Sequence, residues 1–178
     1  MEDPESIESA RLRKDRDGWV LVIERYFPVP VARIWAALTQ REQITRWGPY
    51  DPARDLVTTG PVRLAHIAMP DAPERNGEVF EVEPPRLLVM RWGDDMLRWE
   101  IEETNAGSRL VLRHQLRNRA DAPRYGAGWH LCLSGLGGLL AGRDMPSMVG
   151  QNAESHGYDA LRVRYGEHFG TELPGEAP

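Results

Sequence analysis

The chain has 178 residues, enough for one well-cored domain and short for two. Its net charge of -5 and pI near 5.6 exclude an electrostatic nucleic-acid binder, which needs a basic face. The single cysteine, Cys132, excludes an internal disulfide, and Lys14, the only lysine, all but excludes Schiff-base chemistry in a pocket because it sits in a charged stretch.

Residues 1–16 alternate charges with few apolar groups and are expected to form a mobile charged tail. A single domain is expected over 17–170, followed by a short tail at 171–178. The first residues lack the apolar stretch of a secretory signal, and the longest apolar run, His130 to Ala141, is too short and glycine-broken to span a bilayer. A cytoplasmic protein with no membrane partner is the expectation.

Gly18 to Phe27 alternates as a strand should, and Pro28 and Pro30 stop it. Val31, Ile34, Trp35 and Leu38 then mark one face of a helix that opens at Pro30. Thr39 and Glu42 are spaced as a capping box for a second short helix, with Ile44 and Trp47 as its apolar contacts and Gly48-Pro49 as its end. Six further strands are expected at about Leu56–Thr59, Arg63–Met69, Gly77–Glu83, Leu87–Gly93, Leu97–Glu103 and Arg109–Arg117. The turn residues between them, such as Gly93-Asp94-Asp95 and Asn105-Ala106-Gly107, point to hairpins in an antiparallel meander. Asp121 can cap a late helix with Pro123 in its first turn. Along that helix Trp129, Leu133, Leu136 and Leu140 lie within about 40° of one line. A last helix is expected over Ala153 to Phe169, with Tyr158, Leu161, Tyr165 and Phe169 at helical spacing.

The order of elements, together with particular residues, resembles the helix-grip fold of the START/Bet v 1-like (SRPBCC) superfamily. The closer likeness is to the family named after the C-terminal domain of the activator of Hsp90 ATPase. It is carried by Arg25-Tyr26-Phe27-Pro28, Ile34-Trp35, Ala37-Leu38-Thr39, Arg46-Trp47-Gly48-Pro49, Gly77-Glu78-Val79 and Glu83-Pro84-Pro85-Arg86-Leu87, then Trp92, His114 and Gly128 to Leu133. The likeness covers about residues 18 to 170. It implies an α+β domain: a curved antiparallel sheet of about seven strands around a long late helix, with two short helices after the first strand. It also implies a cavity between sheet and helix, while leaving the reaction open, because relatives include ligand carriers, polyketide cyclases and an Hsp90 co-chaperone.

Candidate residues for such a cavity are Trp47, Trp92, Trp99 and Trp129, whose indoles offer apolar walls with one N–H donor each, together with His66, Met90, His114 and Leu133. Trp35 is expected in the core. His114 shares strand parity with Leu110, Leu112 and Leu116 and should face inward, where an imidazole must find a partner. A metal is not expected: His130 and Cys132 project about 200° apart on the late helix, and no paired metal-ligand spacing occurs. Asp94 and Asp95 read as hairpin-turn residues, Glu24, Glu81 and Glu83 form no dyad, and Cys132 reads as packing. The late helix carries Gly126, Gly128, Gly135, Gly137 and Gly138, each costing up to about 1 kcal/mol relative to alanine. Either the neighbours approach closely or room is left for a ligand. The leading expectation is a non-catalytic binder of a small apolar or aromatic molecule with no cofactor. The alternatives are contact with a bacterial Hsp90 and polyketide cyclase or aromatase-like chemistry using His66, His114 or an inward carboxylate.

Overall fold

The computed structural model describes residues 6–171; residues 1–5 and 172–178 of the two expected tails lie outside them. Strands β1 (Ala10–Asp15), β2 (Gly18–Phe27), β3 (Tyr50–Pro52), β4 (Gly60–His66), β5 (Arg75–Glu83), β6 (Leu87–Trp92), β7 (Asp95–Thr104) and β8 (Gly107–Leu116) form one sheet. Helices α1 (Val31–Thr39) and α2 (Arg41–Trp47) follow β2, and α3 (Ala122–Leu140) and α4 (Tyr158–Phe169) follow the sheet. The strand order is β1-β2-β8-β7-β6-β5-β4-β3, with every neighbouring pair antiparallel. The sheet curls around α3, which is the helix-grip arrangement, with eight strands where about seven were expected.

The difference in number has local causes. Ala10–Asp15, expected in the charged tail, pairs with β2 as an edge strand, Ala10 opposite Ile23 and Asp15 opposite Gly18. Tyr50–Pro52 adds a second short strand that pairs with β4. Leu56–Thr59 is no strand. Leu56 is wholly buried, but as a single anchor whose N–H donates to the Thr39 carbonyl at 2.7 Å. Thr39 does not cap α2: its hydroxyl bonds back to the Trp35 carbonyl at 2.7 Å, and Gln40 takes the N-cap position. The last helix starts at Tyr158, because Gly157 at φ +84° breaks the chain after two short 3₁₀ turns.

Alternation then sorts the sheet. Leu97, Trp99 and Ile101 on β7 and Leu110, Leu112 and Leu116 on β8 point inward and meet Trp129, Leu133, Leu136 and Leu140 of α3 in one core. The outer face of the same strands carries an ion ladder, Glu24–Arg109–Glu102 and Arg98–Glu100–Arg113, which accounts for Glu24. Such exposed pairs contribute little individually. On α1 the buried line is Ile34, Ala37 and Leu38. Trp35, about 100° around the helix from Ile34, is half-buried on the flank rather than in the core. None of the helices among the described residues is long and apolar enough to cross a membrane.

The glycines of α3 divide as the sequence allowed. A Cβ on Gly126 would stand 2.9 Å from the Tyr165 ring, so glycine there lets α4 close onto α3. A Cβ on Gly128 would meet nothing within 4 Å. Close approach explains the first and open space the second.

Candidate functional site

Gly128 looks into a cavity of about 310 Å³. One wall is α3, through Tyr125, Gly128, Trp129 and Cys132. Trp92 of β6 stands on the sheet side, and Met148, Val149, Ala153 and Glu154 from the chain between α3 and α4, with Tyr158 at the start of α4 and Pro49, line the rest. Three aromatic rings meet here edge to face. The Trp92 and Trp129 centroids lie 5.8 Å apart at 64°, and Trp92 and Tyr125 6.4 Å apart at 71°. Farther in, Trp99 stands 5.3 Å from Trp129 and 6.0 Å from Trp47, continuing the series toward α2. Edge-to-face pairs suit the ring quadrupoles and leave flat faces as wall. The Cys132 thiol is pushed up to about 12 by burial, so at neutral pH it is protonated and behaves as a small apolar group.

A polar relay runs along the same wall. The Trp129 indole N–H donates to His114 Nδ1 at 2.9 Å. That nitrogen is therefore the acceptor, and the ring proton belongs on Nε2. His114 Nε2 lies 3.1 Å from Asp95 Oδ2, within ion-pair distance though not aligned as a hydrogen bond. The Tyr125 hydroxyl donates to the same Asp95 oxygen at 2.8 Å. Burial drives the His114 pKa below its ordinary value despite the opposing pull of Asp95. For Asp95, burial favours the neutral acid, but the interactions with His114 and Tyr125 win and hold the carboxyl below its usual value. Burial and the adjacent Asp95 carboxylate raise the Tyr125 phenol. The resting relay is thus a neutral imidazole, an ionised carboxylate and a protonated phenol.

Beyond Tyr125 lies a wider polar cleft of about 790 Å³, bordered by Arg75, Arg91, Arg117 and Arg124 with Asp94, Asp95 and Asp121. Tyr125 borders both spaces. The Arg75 guanidinium lies 5.2 Å from the Trp92 ring centroid, and its Nε–H donates to His66 Nε2 at 3.3 Å. Burial and the Arg75 charge lower the His66 pKa.

Of the expected site residues, Trp92 and Trp129 line the cavity. His114 is fully buried in the relay, and Trp99, Met90 and Leu133 belong to the core behind it. Met90 accepts from the Tyr50 hydroxyl, with oxygen and sulfur 3.7 Å apart. Trp47 is also core; its indole N–H donates to the Ala37 carbonyl at 2.9 Å. His66 stands apart, half-buried against Arg75. Sequence reasoning missed Tyr125, although it lies four residues before Trp129 on the same helical line. It also took Asp95 for a turn residue, whereas Asp95 opens β7 with its carboxylate turned in under Tyr125. Arg75, Met148 and Val149 lie at the start of a strand or in irregular chain and carry no periodic signal.

Comparison with known proteins agrees with this architecture. Residues 28–141 match the model of the activator of Hsp90 ATPase homolog 1-like protein family. No curated protein matches the sequence. Among solved structures, a conserved protein of unknown function, EF2215 from Enterococcus faecalis, superposes with a TM-score of 0.71 at 17% identity, covering 90% of each chain. CalU16 from Micromonospora echinospora gives 0.67 at 21% identity, covering 89% of this chain and 94% of its own. DynU16, from the dynemicin biosynthetic locus, gives 0.65 at 20% identity, covering 77% of this chain and 52% of its own. At these identities the likeness is one of fold.

Proposed function

The chain belongs to the activator of Hsp90 ATPase homolog 1-like family, and from that membership together with the walled cavity we propose that it binds a small, flat, apolar or aromatic molecule between the sheet and α3. The observation that carries this reading is the cavity itself. Its volume of about 310 Å³ sits at the lower end of the range for small-molecule sites. Aromatic faces line it, and the glycine that opens it, Gly128, has no packing reason to be a glycine. The chemistry of the wall favours binding over catalysis. His114 Nδ1 accepts from Trp129 while Nε2 lies within ion-pair distance of Asp95, Asp95 also accepts from Tyr125, and Cys132 is held as the thiol, so the relay turns no free nucleophile to the cavity, whose lining carboxylate is Glu154. DynU16's place in a biosynthetic locus is compatible with a small organic ligand. Hsp90 contact rests on the family name, and no feature of this site bears on it.

Native mass spectrometry of the purified protein, followed by calorimetric titration with flat aromatics, tests the proposal. The expected result is one-to-one binding that Gly128→Leu, which fills the cavity from α3, abolishes without unfolding the protein. Undiminished binding to a folded Gly128→Leu protein would place the ligand elsewhere and overturn the reading.

A further inference from the structure

The cleft beside the cavity holds one arginine with no carboxylate in direct contact. Arg91 pairs with Glu78 at 3.5 Å, Arg117 with Asp94 at 3.3 Å and Arg124 with Asp121 at 3.4 Å. Arg75 has no carboxylate within 4.0 Å among the described residues; the ionised Asp95, held by Tyr125 and His114, balances its charge only at longer range. The position of Arg75 is nevertheless fixed. Its Nε–H is held by His66, its guanidinium lies over the Trp92 ring, and the turn at Gly93 packs against its stem, where a Cβ would come within 3.1 Å of Cδ. A guanidinium held through Nε and through its face keeps its terminal N–H groups for another acceptor, and a planar carboxylate matches that fork.

The two spaces are neighbours. Tyr125 borders both, and the Trp92 ring that walls the cavity is the ring over which Arg75 lies. We propose that cavity and cleft form one amphipathic site whose ligand is an aromatic carboxylate, with its ring system against Trp92 and Trp129 and its carboxylate on Arg75. The inference rests on the ligand-binding reading above and adds the charge and the orientation of the ligand. A monoanion is chosen over a phosphate dianion because a single arginine lacks a carboxylate in direct contact, while Asp95 and Glu154 line the two spaces and disfavour further negative charge. Tyr125 then has a defined part: it separates the acyclic, charged end of the ligand from the ring-filled end.

The test uses matched acid and amide pairs built on benzene, naphthalene and anthracene, titrated calorimetrically at neutral pH into the full chain, Gly128→Leu, Arg75→Met and Arg75→Lys. Thermal unfolding of each variant confirms that it is folded. The best-fitting acid should bind about tenfold or more tightly than its amide, as a charge-assisted pair replaces a neutral contact. Arg75→Met should erase that preference while leaving amide binding within a few-fold of the natural protein, and Arg75→Lys should restore part of it. Gly128→Leu should abolish both. Equal binding of acid and amide, both blocked by Gly128→Leu, would overturn the carboxylate assignment and leave the cavity reading standing. A preference for the acid that survives in both Arg75 variants would overturn the role of Arg75. Failure of all three pairs to bind would overturn the cavity reading and this inference with it.

Discussion

The same substitution made two residues apart on α3 should stabilise at one position and not at the other. Glycine to alanine in a helix interior gains about 1 kcal/mol from backbone entropy and propensity, and neither Gly126 nor Gly128 has the positive φ that would oppose it. At Gly128 the new methyl group enters open space. Gly128→Ala should therefore stabilise by up to about 1 kcal/mol, raising the Tm by about 2–4 °C in a domain of this size. At Gly126 the methyl would stand 2.9 Å from Cγ and Cδ1 of Tyr165. That ring has little freedom to retreat: it is wholly buried, with its hydroxyl 3.1 Å from His130 Nδ1. Overpacking of this kind costs about 1–3 kcal/mol, so Gly126→Ala should range from neutral to about 2 kcal/mol less stable. Thermal melts by circular dichroism, with urea titrations for the free energies, measure both. A shift of the same sign at the two positions would refute the division of the α3 glycines into one that admits α4 and one that leaves room.

Four further outcomes follow from the relay and from the burial of individual tryptophans. Trp129→Phe keeps the ring and removes the donor to His114 Nδ1, leaving a buried acceptor unpaired; urea unfolding should show a loss of about 1–3 kcal/mol. Stability should decline as the pH falls below the ordinary imidazole pKa of 6.5, because the unfolded His114 takes up a proton that the buried ring resists, and melts between pH 8 and pH 5 should show a flatter acid limb in His114→Phe. Trp99→Ala, at a wholly buried position, should cost about 3–5 kcal/mol by urea unfolding. Trp35→Ala should cost clearly less, because that ring is only partly buried on the flank of α1.

The sheet was legible from β5 to β8 because its turns carry glycine, proline and asparagine and its strands alternate cleanly, as in Leu97, Trp99 and Ile101. β1 was not legible for a physical reason. An edge strand gains its stability from one neighbour's backbone, and its Arg11, Arg13 and Lys14 side chains stay in water, so the pattern reads as a solvated tail. Leu56 shows the converse, an apolar residue buried without any strand around it. The cavity was only half legible. Trp92 and Trp129 announce themselves by size and parity, and the inward placing of His114 followed from its neighbours on β8. Asp95 could not be recognised, because a carboxylate in a hairpin turn and one folded under a tyrosine have the same sequence context. The wall from Met148 to Ala153 has no periodicity to read, since its one 3₁₀ turn, Gly150–Asn152, owes its place to contacts with distant chain, such as the Gln151 N–H donating to the Ala68 carbonyl at 3.2 Å.

The pairing of β2 with β8, from Trp19 opposite Leu116 to Phe27 opposite Ser108, joins the first long strand to the last one. Both early helices and strands β3 to β7 are threaded between them, so this seam closes only after nearly two thirds of the chain has left the ribosome. Until then the apolar side of β2, with Leu21, Ile23 and Phe27, has no partner on that edge. Topologies dominated by such distant contacts form slowly, in the millisecond-to-second range, because the loop must close before the pairing rewards it. The protein's most vulnerable moment is therefore set by the order of its strands: a nascent chain stalled before Gly107 exposes a sticky edge, and overexpression at high temperature should send it to inclusion bodies.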